Sequence, residues 1–570
     1  MRLGDRSRAG ADAGALQGRH RRARSPGPAH SSPPPLLARF AILGPLAAAG
    51  SYLLLFLFNL DRLRRATFLN SDVSSIPLLT QDMLRGGPSS AHIGVASYAS
   101  TFFFGFATRS LPFHRTVWEL WSLGLSWAAA GLLAWATWRV AGKWPAILAG
   151  AIAVSASPIV IYNYAGLRGP TWFTGALLLA TLVLLATLPA GGRWWPSAAV
   201  VVGVGIAAGI NLASDPLLAV SGLAPFVAAA IGGALLLRRR SGVRVLVAAG
   251  GVALVMVASA LLTARAMHGI GFQTFKNVPL GVAGASQVRA NLGMFGHGLL
   301  AFANGEFPKP AGGLVSWAGL ALALLCLFAL AAPLRLVGAL RGTPRPRSES
   351  QTLALALFTL FWAFTVLGVG AAFLFSDLPV GGVASARYLV PLFFAIAAGV
   401  GLWGDLPWPR TAAAGVVTLF CLMSIGGQVV FMRNLQTPMV GMQEPQLAAE
   451  GPALVSFLED HGLTRGFAGY WESLGLTWSS GLKVHIYPVL ECGVPPARSL
   501  CQYPINAVSS WYRPVPATKT FFLVSHAQRI LGEPESPPPT YLGSPNAEYR
   551  VKGFTVYVYD YDVAAKLKAP

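Results

Sequence analysis

Charge is what this chain has least of. Only 11% of its 570 residues are charged, while 54% are hydrophobic. A soluble domain carries about a quarter charged residues, so a water-soluble globular enzyme is excluded. Acid is scarcer still, with 22 Asp and Glu against 43 Lys and Arg and a formal charge of +21. Cysteines number four, none at metal-site spacing, and the His residues are too scattered for a zinc site. No phosphate-cradling glycine loop, nucleophile elbow or Ser/His/Asp order is present, which removes the P-loop and serine-hydrolase classes. No cleavable signal is read, because the first apolar segment is too long and lacks a clear cleavage site. The positive charge does not indicate nucleic acid. It is spread over loops and tails, where the positive-inside rule explains much of it.

What the chain has is apolar runs near twenty residues, repeated, with a mean hydropathy of +0.55. Eleven membrane segments are expected near 38–58, 115–138, 144–162, 170–189, 196–212, 216–237, 245–264, 313–334, 352–375, 384–403 and 411–432. Residues 1–37, rich in Arg and Pro, form a disordered basic tail. Residues 433–570 are less apolar. KVHIYPVL, KTFFLVS and FTVYVYDYDV read as strands and ALVSFLEDHG as a helix, giving a small α/β domain.

Arginine sets the expected topology. With the N-terminus cytoplasmic, every short inner loop is basic: Arg139 and Lys143, Arg193, Arg238 to Arg240 with Arg244, Arg335 to Arg347, and Arg410. Arg62, Arg64 and Arg65, in DRLRR, break the rule, but eight basic residues precede the first segment and outvote them. Large outer loops then lie near 59–114 and 265–312, and the C-terminal domain is extracytoplasmic. There Cys492 and Cys501, in ECGVPPARSLC, can form a disulfide. Cys326 and Cys421 fall in apolar segments and read as inert packing residues.

Between residues 38 and 432 there are nine acids, and seven lie at or just below the outer face: Asp61, Asp72, Asp82, Glu119, Asp215, Glu306 and Asp377. A carboxylate near hydrocarbon is costly and tends to be functional or paired. The stretch LNSDVSSIPLLTQDMLRGG carries two of them. Pro77 suits a helix start and Gly86-Gly87 its end, with Ile76, Leu79 and Met83 as an apolar stripe. A short helix in the outer interface is expected, with Asp82 on it and Asp72 in the loop before it, free to face a cavity.

A first segment, a long outer loop with an acid, a short interfacial helix and the late SARYLVPLFFA (residues 385–395) together resemble the GT-C superfamily. These are membrane glycosyltransferases that use polyprenyl-phosphate sugars, among them the protein O-mannosyltransferases and lipid A aminoarabinose transferases. The resemblance covers the layout of residues 38–432. It implies a GT-C-like polytopic α-helical fold and inverting transfer from a polyprenyl-phosphate-linked sugar to an envelope glycan, lipid or protein. It also implies a carboxylate to deprotonate the acceptor hydroxyl and cations to hold the departing phosphate. Asp72 is the expected base, a helix cap or a partner for Arg62, Arg64 or Arg65 being its alternative roles. No cofactor is expected. Ser71, not a second acid, neighbours Asp72, so a divalent metal stays an alternative only. The expected location is the bacterial plasma membrane, with membrane lipid as neighbour.

Other polar residues expected at that face are weighed in the same way. Asp82 contacts substrate or is structural. Asp215, in ASDPLL, caps a helix or touches substrate. Arg168, in a short loop of YNYAGLRGP, and Arg387, in SARYLVP, suit phosphate, with Asp377 the rival partner of Arg387. Glu119, about one turn inside the second segment, joins the site or pairs with Arg115. Lys276 and Arg289 meet substrate or are ordinary loop surface. Trp471 and Trp511 belong to the domain core or bind glycan. Two other classes fit the composition, a lipid-sugar flippase and a non-catalytic GT-C-like assembly protein. No inverted repeat or mid-membrane charge favours the first.

Overall fold

The computed structural model describes residues 35–85, 90–94, 96–111, 114–188, 194–237, 240–274, 281–303, 312–341, 348–377, 379, 383–433, 445–493, 498–525 and 542–569. Seven of the described helices are long and apolar enough to cross a membrane: Arg115–Ala141, Leu167–Thr187, Ala219–Leu237, Ser241–Gly269, Trp317–Leu340, Glu349–Phe375 and Pro409–Arg433. Four shorter apolar helices, Ile42–Phe58, Lys143–Val154, Ala198–Leu212 and Val390–Asp405, fall on the other expected segments. A 27-residue helix is about 40 Å long, more than the roughly 30 Å of bilayer hydrocarbon. Leu254, Leu261, Leu330 and Leu367 stand exposed on these helices. Such an apolar exterior is unfavourable in water and natural in lipid. The chain is a polytopic membrane protein by these features.

At one end of the bundle lie two sheets. The strands are β1 (Ala91–Ile93), β2 (Phe272–Thr274), β3 (Arg465–Ala468), β4 (His485–Cys492), β5 (Ser499–Gln502), β6 (Ala507–Val508), β7 (Thr520–Ser525), β8 (Ala547–Val551) and β9 (Phe554–Tyr559). The larger sheet runs β5-β4-β3-β7-β9-β8. Its β3 and β4 are parallel, joined by the helix Tyr470–Ser479 in a βαβ unit. The expected strands and the helix Pro445–Asp460 are all present.

The smaller sheet runs β2-β1-β6, with Ala91 opposite both Phe272 and Val508. It therefore takes one strand from each expected outer loop and one from the C-terminal region. A single core does the same, joining Phe68, Val73, Leu79, Phe102 and Trp118 to Phe467, Trp478, Trp511 and Tyr559. The segment 59–114 and the C-terminal region thus pack as one body, which strand spacing along the sequence does not reveal.

Three sequence expectations are corrected. The short helix spans Ser71–Arg85 and contains Pro77, so Asp72 sits on its first turn rather than in a preceding loop. Asn70 makes this possible: its side chain accepts from the Asp72 N–H at 2.9 Å, an N-cap that starts the helix earlier. Ser71, Val73, Ser74, Ser75, Ile76 and Leu79 are all buried, so the helix is enclosed by protein and does not lie along a lipid interface. That burial offsets the hydrogen bond Pro77 cannot make. Arg168 likewise lies inside the helix Pro158–Thr187 and not in a loop. Gly169 allows it, because a Cβ there would overlap the Ser122 carbonyl of the neighbouring helix.

Candidate functional site

Asp72 is half-buried on the first turn of its helix. The positive end of the helix dipole favours its charge there. The Tyr470 hydroxyl donates to Asp72 Oδ1 at 2.7 Å. Tyr470 is itself fixed on three sides. Asn506 Nδ2 donates to its oxygen at 2.7 Å, the Tyr503 ring stacks on it at 4.6 Å, and its carbonyl accepts from Ser71 Oγ at 2.6 Å. Gly475 lets the Tyr470 helix come this close, since a Cβ there would overlap the Leu69 carbonyl.

Burial pushes the Asp72 carboxyl above the ordinary carboxylate range, against the opposing pull of the Tyr470 hydrogen bond and the Arg387 charge. Burial, with the Asp72 charge beside it, holds the Tyr470 phenol well above its ordinary value. The pair is therefore a phenol that stays a donor and a carboxylate of raised basicity.

Arg387, the cation facing Asp72, donates to the Tyr388 hydroxyl at 3.1 Å and lies over the Tyr388 ring at 5.0 Å. Arg168 lies over the same ring at 5.1 Å. Tyr388 is 9% exposed, so one buried ring links two guanidiniums. Arg168 Nη1 donates to both Asp215 oxygens, at 2.7 and 2.9 Å. Thr171 and the Leu217 N–H also donate to Asp215, which is fully buried. Asp215 is thus both a backbone cap and the anchor of Arg168. Ser97 borders this network at 3.0 Å from Thr171 and holds a left-handed φ of 61°. A non-glycine residue rarely takes that conformation, and it persists here because the packing enforces it.

The fold thus gathers Asp72, Arg387, Arg168 and Asp215, residues spread over 316 positions of sequence, into one polar cluster. Three members escaped the sequence reading: Tyr470, Asn506 and Tyr388. The adjacent Tyr388 of SARYLVP was the one available signal.

The other candidates stand apart. Asp82 accepts from the Trp511 indole N–H and lies 3.7 Å from Arg85, which fixes the C-terminal region to the Ser71–Arg85 helix. Trp511 is buried, so its ring is core, and Trp471 is half-buried against the same core. Glu119 is buried and consumed by Arg64, by Arg115 at 3.4 Å and by the Trp478 indole at 2.8 Å. It is a structural hub. Arg64 and Arg65 bind Asp61 rather than Asp72. Arg289 is exposed on the helix Ala285–Phe302. Asp377 accepts from the Gly281 N–H. Lys276 lies outside the described residues. Cys492 and Cys501 form a disulfide across β4 and β5.

Among the described residues no group of three or more His, Cys, Asp or Glu is arranged to hold a metal. Chemically, the cluster offers one basic carboxylate, one held phenol and two guanidiniums, a set suited to taking a proton beside an anion. No protein-family model matches the chain, and no curated protein matches it significantly.

Proposed function

We propose that this protein is a GT-C-like membrane glycosyltransferase that moves a sugar from a polyprenyl-phosphate donor to an envelope glycan, lipid or protein. In this reading eleven segments cross the bacterial plasma membrane, the basic tail is cytoplasmic, and the sheets and the Asp72 cluster face outward. The observation that carries the reading is the half-buried Asp72 facing Arg387, with Arg168 over the same Tyr388 ring.

Asp72 is the base. The acceptor hydroxyl oxygen attacks the anomeric carbon while its proton passes to Asp72. The bond from that carbon to the phosphate oxygen breaks, and the electron pair leaves with the polyprenyl phosphate. One displacement inverts the anomeric centre. The growing phosphate charge is met by Arg387 and Arg168, in a partly desolvated setting where charge-assisted hydrogen bonds are strong. The raised proton affinity of Asp72 makes it a stronger base than an ordinary carboxylate. Tyr470 keeps the carboxylate oriented.

A second feature supports a lipid-borne donor. An apolar cavity of about 450 Å³ is bounded by Phe295, Leu299, Trp362, Leu392 and Ile396. Leu392 follows Arg387 by five residues, so a prenyl chain in the cavity would bring its phosphate toward the two arginines.

The test is sugar transfer and donor binding by purified protein in detergent, with radiolabelled polyprenyl-phosphate sugars and membrane extract as acceptor. Asp72→Asn is expected to abolish transfer while keeping donor binding. A variant that transfers at the wild-type rate sinks the base assignment. Donor bound and released unchanged on the other side of a vesicle would instead favour a flippase.

A further inference from the structure

A second groove, of about 450 Å³, opens between the helix Leu60–Phe68, the start of the helix Arg115–Ala141 and the helix Pro445–Asp460. Phe68, Val455 and Trp478 supply apolar walls, and Arg62, Arg65 and Arg115 line it. Asp72 and its partners do not.

Its position is fixed by the bundle. The helix Leu60–Phe68 begins two residues after the apolar helix that ends at Phe58, and Arg115 is the first residue of a candidate membrane span. The groove therefore sits where hydrocarbon gives way to headgroups. This holds whichever side of the membrane the sheets face, and it does not depend on the glycosyltransferase reading.

Its charges do not cancel. Arg64 turns inward to Glu119, which Arg115 also reaches at 3.4 Å. Asp61 takes Arg64 and Arg65. Glu459, the other acid at the groove, pairs with Lys483 at 2.9 Å. Four arginines thus meet two carboxylates. Arg62 has no ion-pair partner among the described residues, and the Arg65 side chain is 65% exposed. This is the DRLRR segment that violates the charge rule for its expected side. A ligand explains why the chain keeps it.

We propose that this groove binds the phosphate head of an anionic membrane lipid. A surplus of two positive charges, with Arg62 unpaired and the exposed Arg65 sharing Asp61 with Arg64, matches a phosphate, and Phe68, Val455 and Trp478 match the upper part of the acyl chains.

The experiment is native mass spectrometry of the full chain in detergent, titrated with phosphatidylglycerol, phosphatidylcholine and inorganic phosphate. Wild type is expected to prefer phosphatidylglycerol. Arg62→Gln with Arg65→Gln is expected to weaken phosphatidylglycerol roughly tenfold or more and to leave phosphatidylcholine unchanged. Both positions are exposed, so the fold survives, and an unaltered unfolding temperature checks this. The single Arg62→Gln variant gives a smaller shift in the same direction. Equal affinity of wild type and double variant for phosphatidylglycerol overturns the proposal. So does equal affinity of wild type for the two lipids. Inorganic phosphate binding as tightly as the lipid removes any part for the apolar walls and also overturns it.

Discussion

Removing Asp215 isolates a buried cation, and the cost can be worked from the structure. The Asp215 side chain is fully buried, and that of Arg168 is 13% exposed. In Asp215→Ala, Arg168 keeps its place over the Tyr388 ring but loses both charge-assisted bonds. Breaking one member of such a pair costs about 3–5 kcal/mol, because the partner is left buried and uncompensated. Arg168→Met leaves the opposite defect, softened by the Thr171 and Leu217 donors that remain on Asp215. The double variant removes both charges, so its cost must fall below the sum of the singles by about 2 kcal/mol or more. Equilibrium unfolding in mixed detergent micelles, followed by tryptophan fluorescence, measures all three. Costs that add within about 0.5 kcal/mol would show that the two residues do not act as a pair, and the cluster would lose its anchor for Arg168.

Two further predictions follow from the same cluster and from the sheet domain. Tyr470→Phe removes the hydrogen bond that lowers the Asp72 proton affinity, so the carboxyl titrates still higher and the acid limb of the transfer rate moves to higher pH; a limb that stays put, or moves down, contradicts the role given to Tyr470. Cys492→Ser opens a short loop, nine residues apart in sequence, and costs about 2–3 kcal/mol; alkylation of the unfolded, unreduced wild type should label two of its four cysteines, and labelling of all four refutes the bond.

The seven helices long and apolar enough to cross a membrane were legible because an apolar run of about twenty residues is a local signal. The strands of the C-terminal region were legible for the same reason. What failed was punctuation. Pro77 reads as a helix start, yet Asn70 starts the helix one turn and a half earlier. Gly169-Pro170 reads as a loop, yet the helix continues through it because Gly169 is needed for contact with Ser122. Of the Glu119 partners, Arg115 was visible at helical spacing, but Arg64 and Trp478 come from 55 and 359 residues away. Tyr470 reaches Asp72 across 398 residues and Asn506 reaches Gly94 across 412. No local pattern encodes such pairings. They exist only once the smaller sheet has joined three distant stretches of chain.

That assembly decides the chemistry of Asp72. Its hydrogen bond comes from the C-terminal region, through Tyr470 on one helix, which Asn506 beside β6 holds in place. The same region holds the 59–114 segment by backbone and side-chain bonds from Ser71, Ser90 and Gly94. Undocking would return water to the carboxyl, and its proton affinity would fall toward that of an ordinary aspartate. In the docked state the folded-state value lies above the unfolded one, so the carboxyl binds more protons folded than unfolded. Docked stability therefore decreases as pH rises from the ordinary carboxylate value through the raised one. The burial that makes Asp72 a better base is a cost to the fold. The Ser71, Ser90 and Gly94 bonds, the strand pairing of β1 with β6, and the Asp82–Trp511 contact are what offset it.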